Sequence, residues 1–208
     1  MNPNSSSRVK AQPLRTRLRE VATTQILQAA EQVFSEMGLH DAKMEAIAAR
    51  AGVAVGTLYN HFKDRHALLA ALVDARRNGL IEVLDASLVS HKAEPFSEQL
   101  RHFIVVFLSF CEEKSSLAAL MAEAEPSPAL RKQKEAAGEQ ISQKAHDLLK
   151  RGFAAKALSV ESMPVLHVLF RGMLRGAVEE TRARPQSRRA PEAWARDISA
   201  LLLRGGRH

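Results

Sequence analysis

Apolar and polar positions follow a helical period along nearly the whole chain. Over residues 17–37, Ile26, Ala29, Ala30, Val33, Phe34 and Met37 recur three and four apart as one stripe, which Gly38 ends. A shorter stretch, 43–51, puts Met44, Ile47, Ala48 and Ala51 on one face before Gly52. A third helix follows within a few residues, with Leu58 and Phe62 as its inner side. Leu68, Leu69, Leu72, Val73, Leu80, Val83 and Leu84 predict one long helix over 64–90, and Pro95 marks the break after it. "FSEQLRHFIVVFLSFCEE" is apolar almost all round and so predicts a buried helix. Further helices are predicted over 115–124, over 128–151, from "MPVLHVLF" onward with Pro164 in its first turn, and over 192–203. No run of alternating β-branched residues argues for a sheet, so the chain reads as all-α.

Two short helices joined by a tight Gly-containing turn are a helix-turn-helix pattern, and the small Ala48 and Ala51 let such helices approach closely. The next stretch, "GVAVGTLYNHF", is poor helix chemistry. A helical Gly costs roughly 1 kcal/mol relative to Ala, and Thr and Tyr are mediocre formers. With Leu58 and Phe62 turned inward, Val55, Gly56, Thr57, Tyr59, Asn60 and His61 face outward or sideways. Gly56 lets a phosphate or base edge approach backbone, while Thr57, Tyr59 and His61 carry groups that a DNA major groove and its phosphates can use. An ordinary surface helix is the competing reading, and Gly56 together with an outward Tyr59 weighs against it.

The formal charge of +7 suits an anionic partner, nucleic acid before a membrane surface, although a merely basic soluble protein carries as much. Part of that charge is local. Arg8, Lys10, Arg15, Arg17 and Arg19 run without an intervening acid, so residues 1–16 read as a disordered basic arm able to lie along phosphates. One cysteine, Cys111, excludes an internal disulfide framework and a Cys-cluster metal site, and its apolar surroundings predict a buried thiol. His102, His146 and His167 do not fall at a metal-ligand spacing, so neither a metal nor another cofactor is expected. The chain lacks H-E-x-x-H, G-x-S-x-G and G-x-x-x-x-G-K-[ST], which leaves no constellation for an enzyme. Without a long apolar span or an apolar leader, a cytoplasmic address is expected.

Residues 22–72 resemble the DNA-binding domain of the TetR family of bacterial regulators, through "ILQAAEQVFSEMG", "IAARAGVAVGTLYNHF" and "KDRHALLAAL". The resemblance implies a three-helix helix-turn-helix head at 17–65, a helical regulatory and dimerisation domain at 66–208, and a homodimer on a palindromic double-stranded DNA operator. Carried over by residue, it places Val55, Gly56, Thr57, Tyr59, Asn60 and His61 on the recognition helix. Tyr59, His61 and Arg65 become phosphate contacts. Three positions depart from the family's usual pattern. Ala54 stands where Ser commonly caps the recognition helix, a loss of about 1 kcal/mol. Val55 replaces a common Lys. Lys43 occupies a cap position usually held by Ser or Thr, and a cation there opposes the helix dipole unless a phosphate lies near.

The resemblance also implies pairing of the last two long helices between subunits, with Gly172, Gly176, Trp194, Ile198 and Leu201 at the interface; tight packing within one subunit is the other reading of the glycine pair. Phe103, Phe107, Phe110, Met121, Met163, His167, Phe170 and Met173 form a soft apolar group that either lines an effector cavity or simply fills the core. The expected function is a ligand-responsive transcriptional regulator released by a small apolar or amphipathic effector. A sequence-blind architectural DNA binder is the alternative.

Overall fold

A computed structural model describes residues 13–113, 128–158 and 163–205. Met121 and the helix expected over 115–124 lie outside these residues, as do the first twelve of the arm. The described chain is helical, with no strand, and divides into two compact units between Leu68 and Leu69, three residues beyond the expected boundary.

The first unit holds α1 (Leu14–Asp41), α2 (Met44–Ala51) and α3 (Val55–His61). Helix α1 starts earlier than its apolar stripe indicated, so Leu14, Arg15 and Thr16 belong to the helix and not to an arm. Pro13 explains this: its φ of −53° is nearly helical, and its carbonyl accepts from the N–H groups of Thr16 and Arg17 at 2.9 and 3.3 Å. Gly38, with φ 78° and ψ 167°, breaks the helix where the sequence placed its end. Met37, expected inside, is 47% exposed because the chain turns away directly after it. The core of the unit is Ile26, Ala30, Phe34, Ile47, Ala48 and Leu58, all with no exposed surface. Arg50 closes the pair of helices from outside by a two-pronged contact to Glu36 at 2.9 and 2.6 Å.

Gly52 makes the helix-turn-helix turn. Its φ of 67° is left-handed, and its N–H reaches back to the last carbonyls of α2. The N–H of Val53 then bonds Ala48 O at 3.0 Å, so the chain reverses within three residues and presents α3.

Helix α4 (Arg65–Ser90) leads the chain into the second unit, which adds α5 (Phe96–Glu113), α6 (Pro128–Ala154), α7 (Met163–Ala183) and α8 (Pro191–Gly205). The all-round apolar character of α5 has its cause here: α8, α7 and α6 all pack on it. Phe103, Leu100 and Ile104 of α5, Phe170 of α7, Leu148 and Leu149 of α6, and Leu84 of α4 are fully enclosed in one core. Val83, assigned to the inner stripe of α4, instead stands 40% exposed. Gly152 is required by proximity, since a Cβ there would lie 2.5 Å from Phe96 Cζ and 2.8 Å from Leu158 Cδ1.

Candidate nucleic-acid interface

Burial of Leu58 fixes the orientation of α3. Its inner side chain has no exposed surface and Phe62, just past the helix end, has 7%, so positions 55, 56, 59 and 60 point away from the core. Val55 is 38% exposed and Tyr59 44%, and Gly56 has open space where a Cβ would stand. Asn60 is exposed beside Tyr59. Thr57 and His61 flank this face and are half-buried. The short helix thus shows a low, nearly neutral surface with one phenol, one amide and one glycine gap.

Neither α2 nor α3 has a side-chain cap, as Lys43 and Ala54 foretold: both cap positions are extended and bond only through their carbonyls. Lys43 is exposed at the start of α2. The next helix is capped differently. Asp64 Oδ1 accepts from the Ala67 N–H at 2.8 Å, and that bond, helped by Lys63 and His66, holds its carboxyl below the usual carboxylate range. Arg65, half-buried, sets its guanidinium 5.7 Å from the ring centre of the enclosed Phe34, a cation–π contact that anchors its stem. Arg15, Arg17 and Arg19 are exposed along the first turns of α1.

His61 carries a detail invisible in the sequence. Its Nδ1 lies 3.0 Å from Thr23 Oγ1, and the Thr23 hydroxyl already donates its only hydrogen to Arg19 O at 2.9 Å. The Thr23 oxygen therefore accepts, Nδ1 carries the ring proton, and Nε2 is left for an outside partner. A neutral His61 then offers an acceptor there; only the protonated ring offers a donor. Thr23 lies 38 positions from His61, and its hydroxyl among exposed polar neighbours gave no signal of this role.

In the second unit the expected effector residues separate. Phe103 and Phe170 are enclosed, with ring centres 5.9 Å apart, and Phe107, Phe110, Met163 and Met173 are partly buried against the same core. His167 Nε2 sits 3.2 Å from Ser142 Oγ. A cavity of about 580 Å³ opens between α5, α6 and α7, and among the described residues of the expected group only Phe107 lines it. Its other walls include Cys111, Ile141, Ala145, Val168, Arg171 and Arg182. Burial pushes the Cys111 thiol up from its ordinary value, against a smaller opposing pull from Arg76 and Arg182. The sequence signal for these walls was the Arg171, Arg175, Arg182 series down one side of α7, which a search for aromatic and Met residues passes over.

Of the expected interface residues, Ile198 is buried within the protomer, and Trp194 is half-buried with the Arg189 guanidinium 4.7 Å from its ring centre. Gly172, Gly176 and Leu201 are at the surface. Nothing lies within 4 Å of the place a Cβ would take at either glycine, so neither serves close packing inside the subunit. Val165, Val168 and Leu169 are 60, 67 and 52% exposed at helical spacing ahead of the glycines. They continue one apolar face along α7.

Residues 26–72 match the family described as "Bacterial regulatory proteins, tetR family". Over 64 residues the chain is 44% identical to the HTH-type transcriptional regulator UidR of Escherichia coli strain K12, a match covering 31% of this chain and 29% of UidR. It is 33% identical over 106 residues to the HTH-type transcriptional regulator BetI of Escherichia coli O45:K1, covering 50% of this chain and 53% of BetI. The matched region thus spans about half or less of these curated relatives. Over 89% of its length the fold is similar to that of the transcriptional regulator FadR from Bacillus subtilis in complex with stearoyl-CoA, with a TM-score of 0.72 at 21% identity and 99% of FadR covered. The head has the sequence of a class, the helix-turn-helix heads of bacterial regulators. Within that class, residues 26–72 match the TetR family of bacterial regulatory proteins, and the fold over most of the chain is similar to that of solved regulators of that family.

Proposed function

We propose that the protein is a cytoplasmic repressor that binds a pseudo-palindromic DNA operator as a homodimer and is released by an amphipathic effector. The observation that carries this reading is the exposed face of α3 over the enclosed Leu58, with Tyr59, Asn60 and the Gly56 gap turned outward. Val55 and Thr57 meet base edges, Val55 through apolar contact with a thymine methyl. Tyr59, His61, Lys43 and Arg65 meet phosphates, which position the head without reading sequence.

Dimerisation is supported by the unpartnered apolar face of Val165, Val168, Leu169, Gly172 and Gly176 on α7, joined by Leu201 on α8. The effector reading is supported by the cavity with apolar walls at Phe107, Ile141 and Val168 and with Arg171 and Arg182 beside them. Such a lining suits a long apolar chain ending in an acid, and the FadR of similar fold holds stearoyl-CoA. Selection of genomic fragments on the purified protein, followed by footprinting, tests the central claim. The expected result is a two-fold symmetric site with half-sites about one DNA turn or somewhat more apart. Salt-sensitive binding of equal strength to every fragment defeats it and leaves a sequence-blind DNA binder.

A further inference from the structure

The cavity between α5, α6 and α7 and the apolar face of α7 run into each other. Val168 and Gly172 belong to both: each lines the cavity, Val168 is 67% exposed, and a Cβ on Gly172 would meet nothing within 4 Å. We infer that the effector site is completed by a second copy of this chain, so that a long-chain amphipathic acid binds the dimer more tightly than the lone protomer and holds two protomers together. The inference rests on the dimer and effector readings above and adds the coupling between them.

The walls of the cavity are unequal. On the inner side Ser142 and Ala145 of α6 and Leu174 of α7 are buried, with Phe107 and Ile141 half-buried. On the outer side Val168, Arg171, Gly172, Arg175, Glu179 and Arg182 are all exposed, along about four turns of α7. Gly138, on the α6 side, is exposed too and has open space at its Cβ position. A small-molecule site ordinarily buries about 70–90% of its ligand. An alkyl chain in this trough is covered by α5 and α6 and stays wet along Val168 and Gly172. Covering two or three further methylenes corresponds to about 10- to 50-fold in affinity.

A second copy suits the open side. Val165 and Leu169 on α7 and Leu201 on α8 are 60, 52 and 62% exposed, and none of them lines the cavity of its own protomer. An isologous contact sets this face against itself. The charges permit it. Arg171 and Glu179 stand about two turns apart on α7, so antiparallel pairing of two copies of the helix sets cation toward anion twice, and Gly172 and Gly176 between them leave room for close approach. The bond of Glu179 to Arg175, an exposed i,i+4 pair at 2.7 Å, is weak enough to be shared. Linkage then fixes the sign. If each site gains a given factor on dimerisation, the dimer dissociation constant at saturation falls by the square of that factor, because two sites form per dimer. The regulator that an effector releases from its operator is therefore still a dimer.

The test measures hexadecanoate binding by calorimetry and self-association by sedimentation, on the full-length protein. Hexadecanoate should bind wild-type dimer about 10- to 50-fold more tightly than it binds Leu169→Asp and Gly176→Leu, monomeric variants that alter no cavity wall, with folding checked by circular dichroism. It should also lower the wild-type dimer dissociation constant by about 100-fold or more. Gly138→Leu, which fills the cavity from the α6 side, should weaken hexadecanoate binding and leave the ligand-free dimer unchanged. Equal affinity for wild-type dimer and folded monomer, or a dissociation constant that hexadecanoate does not change, overturns this inference and leaves the dimer and effector readings standing. A wild type that stays monomeric at micromolar protein with and without hexadecanoate overturns the dimer reading along with it. A dimer that takes up no hexadecanoate overturns the effector reading and this inference together.

Discussion

If His61 holds its ring proton on Nδ1 against Thr23, operator binding should strengthen on acidification. With Nδ1–H committed to Thr23 at 3.0 Å, the outward Nε2 of the neutral ring is an acceptor and repels a phosphate oxygen. Protonation converts it to a charged donor, and hydrogen bonds to charged groups contribute about 1.5–3 kcal/mol. That corresponds to roughly tenfold to 100-fold in affinity for each half-site. The sign follows directly: bound protein takes up a proton at each head, so affinity is higher at low pH and falls as pH rises.

The assay is fluorescence anisotropy of labelled operator at constant ionic strength across mildly acid to mildly alkaline pH. His61→Lys should bind well and lose the dependence in this range, and His61→Gln should lose it at reduced affinity. Thr23→Val frees Nδ1–H to tautomerise, so a neutral ring can donate through Nε2 and the alkaline loss should shrink. A wild-type protein whose affinity is flat with pH, or a His61→Gln variant that titrates like wild type, would refute the argument.

Three other outcomes are expected. Gly176→Leu has open space within the protomer and better helix propensity by up to about 1 kcal/mol, so the fold should hold while sedimentation at micromolar concentration shifts toward monomer; an unchanged dimer rules out that face. Gly152→Ala forces a Cβ to within 2.5 Å of Phe96 Cζ and should lower stability by about 1–3 kcal/mol in urea unfolding, whereas a neutral result means that Phe96 is free to move. Replacing Arg171 and Arg182 together by Ala should weaken calorimetric binding of a long-chain carboxylate by at least about tenfold and spare the matching alcohol, and equal losses for both would take the charge out of the account.

Much of this protein was legible as one-dimensional pattern. Helix period, turn glycines and the inward pair Leu58 and Phe62 are set by residues three to ten apart, and local backbone geometry turns that spacing into a face. The bare caps at Lys43 and Ala54 were readable for the same reason, since a cap is chosen by the residue that occupies it. Two misreadings were also local. The start of α1 was assigned from apolar spacing when the carbonyl of Pro13 decides it, and Met37 was placed inside although Gly38 redirects the chain directly after it. What the tertiary structure decided is which distant side chains meet. Thr23 and His61 share a proton across 38 positions, His102 finds His91 and not His146, and the cavity takes its walls from three helices while Phe103 and Phe170 close against each other. Helix periodicity tells each residue which side it occupies; only packing, which depends on the volumes of all the side chains at once, determines what stands opposite.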